Sequence, residues 1–346
     1  MPLSVLNRHR SVWMGIAMLW IVFFHSGIAF TNPVLASIQQ FGYGGVDLFM
    51  FASGLGAYYS YTKTHDPVAF LARRLARLAP VYLPFIAVWF IYRYLIWGSY
   101  TLPFRAITGN IFALEALIDM DFTFNWYVSF LLIIYILAPL FCGIVERIDS
   151  LRAFLLFIAV LLLISVSFSL NRMLIIVSRL PVFAAGMYYA KLSKDPQKKL
   201  TGRCALLLAA MILVGFALLV WFYQQYGLYL SSYGLHWYPF LLIAPGMCIL
   251  ISAFAEAVCR FAVARGVLCI LRTVGGYTFE IYLLHILLLD MYEHWLTARG
   301  ILEACDRSIL LVLLMIIPLC ALLRACSVGC LSIAAAIRKH IWPDSK

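Results

Sequence analysis

Long apolar runs, separated by short polar stretches, fill most of this chain. Runs of about 17–25 residues read as membrane-crossing helices, because ~20 residues of α-helix span the ~30 Å hydrocarbon core of a bilayer. On that pattern the spans fall near 12–30, 41–62, 80–97, 125–145, 152–170, 174–190, 203–223, 237–257, 273–293 and 307–326. The prediction is an all-α, polytopic membrane bundle of about ten helices, one domain over residues 1–346 with no separate soluble domain. The half-apolar segment FRAITGNIFALEALIDM, 104–120, is interrupted by Gly109 and Asn110, and is expected as an interfacial or re-entrant piece. No internal repeat or low-complexity segment stands out.

Composition agrees with lipid as the main solvent. Hydrophobic residues make up 64% of the chain and charged ones 12%, against about 25% charged in soluble domains; mean hydropathy is +0.95. The net charge of +11 first suggests nucleic acid, but its placement argues for a membrane instead. With the N-terminus cytoplasmic, 20 of the 26 Lys and Arg fall in inner loops and tails. Four (Arg105, Arg172, Arg299, Arg307) fall outside, and two (Arg93, Arg179) lie within spans. That bias sets orientation, and it requires an even number of spans with both termini cytoplasmic. Arg8 and Arg10 before an apolar run look like a signal peptide, yet 12–30 is long enough to cross and is expected as a retained first helix. The nine cysteines include no CxxC pair, so neither a zinc nor a redox framework is expected, and no metal-ligand set.

Ionisable residues inside the spans are few: His25, Asp47, Arg93, Arg179, Glu256, Glu280, His285 and Asp290. Each is costly in lipid unless it has a partner or a wet cavity. Arg93, Glu256 and Asp290 lie near predicted helix ends, where long side chains snorkel to the interface. His25 and Asp47 both fall in the outer halves of the first two helices, which a short connection makes antiparallel neighbours. A carboxylate beside an imidazole fixes its tautomer and strengthens it as a base, so Asp47 is expected to serve a reactive His25. Structural helix packing by the histidine is the competing explanation. Glycines 42, 44, 45, 54 and 56 suit the close helix contacts of membrane interiors.

Toward the cytoplasmic side, FLARRLARLAP (70–80) carries Arg73, Arg74 and Arg77, with Pro80 expected to open the next span. Arg74 and Arg77 share a helical face, and Arg73 and Arg77 are one turn apart. Such arginines set topology, and they also match a phosphate bidentately. The outer loop QQYGLYLSSYGLHWY, 224–238, suits either an interfacial aromatic belt or stacking on a sugar, the belt being the simpler account.

Taken in order, several segments resemble the membrane-bound acyltransferase family 3: GIAMLWIVFFHS (15–26), GGVDLFMFASG (44–54), RRLARLAPVY (73–82), NWYVSFLLIIYILAPL (125–140), RLPVFAAG (179–186) and GGYTFEIYLLH (275–285). The resemblance covers nearly the whole chain. It implies transfer of an acyl group, most often acetyl from cytoplasmic acetyl-CoA, to a hydroxyl of an exported or cell-surface glycan, in a bacterial cytoplasmic membrane. Acyl-CoA is then a donor substrate rather than a resident cofactor, and the partners are the acceptor and the bilayer, with no nucleic acid. On the family pattern His25 is the catalytic histidine, Arg74 and Arg77 are the donor-associated arginines, and Glu280 and His285 shape the site. Two positions depart from it: Thr278 stands where serine is usual, and Met14 where arginine or lysine is usual, with Arg10 one turn earlier.

His25 fits either a general base or a transient acyl carrier, and Arg179 and Thr278 are expected as oxyanion or acceptor contacts. A transporter or flippase for a lipid-linked or small polar substrate is the main rival, since buried acidic and imidazole groups suit proton coupling. A scaffold whose polar residues only specify packing is a second.

Overall fold

The computed structural model describes residues 1–96, 104–114, 125–171, 173–227, 229–300 and 306–341. Its main helices, in chain order, are α1 (Arg10–His25), α2 (Pro33–Gln40), α3 (Gly45–Tyr61), α4 (Pro67–Phe90), α5 (Trp126–Arg147) and α6 (Leu151–Val166). There follow α7 (Leu180–Ser193), α8 (Gly202–Tyr226), α9 (Phe240–Val258), α10 (Ala262–Gly276), α11 (Thr278–Thr297) and α12 (Ile316–Ile341). The described residues are all-helical apart from one isolated bridge between Pro2 and Lys199.

Among the described residues, five helical stretches are long and apolar enough to cross a membrane: Pro67–Tyr94, Trp126–Arg147, Gly202–Tyr226, Phe240–Val258 and Ile309–Gly329. A sixth arises if α10 and α11 count as one broken span. Helices α1 and α6 are apolar but shorter.

The hydrophobic pattern places the helices well and their breaks less well. The expected span 80–97 starts much earlier, because α4 runs unbroken from Pro67 through Pro80 and Pro84. Proline removes a backbone donor and so reads as a stop; in a membrane helix neighbouring groups satisfy what it frees, and the helix continues. The arginine stretch therefore belongs to the same helix as the apolar run after it. The expected span 273–293 divides at Tyr277, which caps α11 with non-helical dihedrals. The span 174–190 likewise divides into Leu174–Val177 and α7. Helix α3 is preceded by a 3-10 turn, Phe41–Gly44. Of the interrupted segment 104–120, Phe104–Ile111 is helical and 115–120 lies outside the described residues.

The chain separates into two compact units. The first holds Met1–Phe24, Thr31–Phe70 and Ile133–Gly276; the second holds His25–Phe30, Leu71–Leu132 and Tyr277–Lys346. In the first unit, α3 and α7 pack backbone to backbone. A methyl group added at Gly54 would run into the Phe183 carbonyl, and one added at Gly186 into the Phe51 carbonyl. Two small residues, each set into the facing turn of the other helix, fix the register between them. Gly15 and Gly275 repeat the device between α1 and α10, against the carbonyls of Leu271 and Ser11.

Helix starts follow ordinary capping chemistry. Asn32 Oδ1 accepts from the backbone N–H groups of Val34 (2.9 Å) and Leu35 (3.2 Å), with Pro33 opening α2. Ser150 and Thr201 accept from Ala153 and Cys204 in the same way for α6 and α8. At the other end of α5, Lys191 Nζ donates to the carbonyls of Val145, Glu146 and Ile148, a cation placed where helix carbonyls are unsatisfied.

Candidate functional site

In the first unit the glycine contact also sets the depth of two charged residues. Asp47 lies about two turns before Gly54 on α3, and Arg179 about two turns before Gly186, at the N-terminal cap of α7. Equal offsets from a shared crossing bring them to one level. Arg179 Nε stands 3.5 Å from Asp47 Oδ1, with both side chains essentially fully buried. The guanidinium also donates from one terminal nitrogen to the Ile175 carbonyl at 2.6 Å and lies 5.0 Å from the centre of the Trp237 ring. Neither Asp47 oxygen has a hydrogen-bond partner among the described residues. The group that answers Asp47 is therefore a guanidinium at ion-pair distance.

Aromatic residues surround that pair. Tyr43 donates through its hydroxyl to the His236 carbonyl at 3.1 Å, and its ring meets the His236 ring at 5.3 Å. His236 in turn packs on Trp237 at 4.2 Å. The outer loop 224–238 thus contributes two kinds of residue. His236 is buried, and with Trp237 it belongs to the polar cluster, whereas Tyr226, Tyr229 and Tyr233 stay exposed. A belt reading fits only the second set.

The second unit holds the histidines. His25 is the last residue of α1 and is exposed, while His285 on α11 is fully buried. Their ring centres are 5.3 Å apart and their planes cross at 61°. His285 Nδ1 lies 2.9 Å from the Ile281 carbonyl oxygen, one helical turn back. Its Nε2 is buried and has no partner among the described residues. The ring of Tyr282 sits 6.0 Å from that of His285, and Tyr127 sits 5.1 Å from Tyr282.

The same unit holds further buried polar groups. Asn125 Nδ2 donates to the Tyr82 hydroxyl (3.0 Å) and to Asn110 Oδ1 (3.1 Å), and Tyr82 donates to the Asn110 carbonyl at 2.6 Å. Glu280 is anchored by Arg324, whose Nε and terminal nitrogen stand 2.7 and 2.5 Å from Oε1. The same guanidinium covers the Tyr277 ring at 3.7 Å. Thr278, half-buried, is the first residue of α11. On α4, Arg73 and Arg77 are exposed and Arg74 is buried.

The structure thus joins Asp47 with Arg179 in one unit, and His25 with His285 in the other. Arg324 and Asn125 escaped the sequence reading as site residues. Arg324 counted only toward topology, and Asn125 was one letter of a motif, although an amide at the head of an apolar run already signals a buried hydrogen-bond network. Arg10, one turn before Met14, turns onto α3, donating to the Ala52 carbonyl at 2.9 Å beside Gly56. Glu256 carries an ion pair to Arg8 at 2.6 Å and a contact to His9 at 2.7 Å.

The acyltransferase 3 family, described as an acyltransferase domain, matches residues 14–331. No curated protein and no solved structure matches the chain.

Proposed function

Given that the chain belongs to the acyltransferase 3 family, we propose that it moves an acyl group, acetyl first among them, from cytoplasmic acyl-CoA to a hydroxyl on an exported or cell-surface glycan. The carrying observation is that the match takes in both His25 and His285, and that His25 is the exposed member of this pair. An exposed imidazole at a helix end is open to substrate, which a histidine used only for packing has no need to be.

In the reaction we propose, His25 takes the proton of the acceptor hydroxyl as its oxygen attacks the thioester carbonyl. The tetrahedral intermediate collapses, the carbon–sulfur bond breaks, and His25 returns the proton to the departing thiolate. An ester and free CoA result. Arg73, Arg74 and Arg77 supply cationic groups suited to the donor's phosphates. We assign it to a bacterial cytoplasmic membrane on the family resemblance, with ten spans and both ends inside; the charge bias of its loops supports that orientation.

Mass spectrometry of surface glycans tests this. Cells with the intact gene should carry an acyl mass that is missing from cells without it and from cells expressing His25→Ala at equal membrane levels. Unchanged acylation in the His25→Ala strain contradicts the assignment.

A further inference from the structure

We propose that His285 is the positioning residue for His25: its Nε2 accepts the N–H of His25 and so decides which His25 nitrogen is left to act as base. This rests on the reading of His25 as the base.

A carbonyl oxygen only accepts, so the 2.9 Å contact with the Ile281 carbonyl requires the hydrogen on His285 Nδ1. Nε2 then bears a lone pair. That nitrogen is fully buried and has no donor among the described residues, a costly arrangement unless a donor reaches it during function.

The ring beside it is His25, at 5.3 Å between centres. An N–H···N bond of ordinary length, about 3 Å, between two imidazoles pointing nitrogen to nitrogen also puts their centres about 5 Å apart. The separation is therefore already that of a bonded pair, and a turn of the exposed His25 ring about its own side-chain bond completes it. Catalytic hydrogen bonds are often poorly aligned before substrate arrives.

The resulting chain runs from the Ile281 carbonyl through His285 to His25, buried at one end and open at the other. It provides by a neutral ring what a carboxylate provides in a hydrolase triad. When His25 takes the hydroxyl proton it holds two N–H groups. One remains bonded to His285 Nε2 and the other goes to the leaving thiolate, so His285 stays neutral throughout.

Amide isosteres separate this from a structural role. In His285→Gln the amide oxygen can stand near the position of Nε2 and accept from His25. In His285→Asn the short amide reaches the Ile281 carbonyl, as Nδ1 does, but offers nothing to His25. His285→Phe offers neither. The measurement is CoA release from acetyl-CoA by native membranes containing each variant, normalised to folded protein by size-exclusion profile. For Asn and Phe, kcat should fall about 10- to 100-fold with KM for acetyl-CoA within about twofold. Gln should recover most of the loss.

Asn equal to or better than Gln overturns the inference, as does wild-type kcat in the Phe variant. A loss that follows only the folded fraction also overturns it. His25→Ala, run alongside, keeps the two readings apart. If it retains activity, the proposed function fails; if it is inactive while the Gln and Asn order is reversed, only the role of His285 fails.

Discussion

Asp47 and Arg179 show how a membrane interior holds a charge. A lone carboxylate at that burial would be driven to neutralise; the guanidinium 3.5 Å away and its stacking on Trp237 offset that cost. Breaking a buried pair from one side typically costs about 3–5 kcal/mol, because the remaining charge is left uncompensated. Arg179→Gln should therefore lower thermal stability in detergent by that order. Adding Asp47→Asn should restore much of the loss, since the double variant buries no net charge. If the single and double variants unfold together, the pair carries no coupling. In the sequence, Asp47 and Arg179 were both visible as ionisable residues in apolar spans, but their pairing was not. Depth along the first two helices pointed Asp47 at His25. The partner depends on which helix packs against α3, which a hydropathy pattern does not record.

Packing between elements rests on glycines with very different duties. Gly275 and Gly276 are adjacent in the segment before α11, yet only Gly275 meets backbone, at Ser11. A methyl group there displaces one helix from another, at a cost of about 1–3 kcal/mol. Beyond its own helix and chain neighbours, no described residue lies within 4 Å of a methyl group on Gly276, so that change should stay within about 0.5 kcal/mol. Thermal unfolding of Gly275→Ala against Gly276→Ala checks the contrast, and equal effects contradict the packing assigned here. Small residues at such spacing are readable as packing sites. Which of two neighbouring glycines bears the contact is not, because it turns on the rotation of α10 about its axis. The break at Tyr277 is hidden for a similar reason: apolar residues continue across it, and hydropathy alone does not register a change of direction. Pro80 misleads in the opposite sense, marking the opening of a span where α4 is already running.

At the scale of the whole chain, the loop charges and the family match both support the process proposed above, with a donor on the cytoplasmic side and an acceptor on the other. The class of protein was plain from composition, and the family from six motifs in order. The partner of His25 was not, since His285 lies far along the chain and only folding brings the two rings to 5.3 Å. Sealed inside-out membrane vesicles test the central claim most directly. Radiolabelled acetyl-CoA is supplied at the exposed cytoplasmic face, and label is measured in glycan enclosed within the vesicle. The account predicts that wild-type vesicles label this glycan and that His25→Ala vesicles, with equal protein inserted, do not. Equal labelling by the two contradicts it.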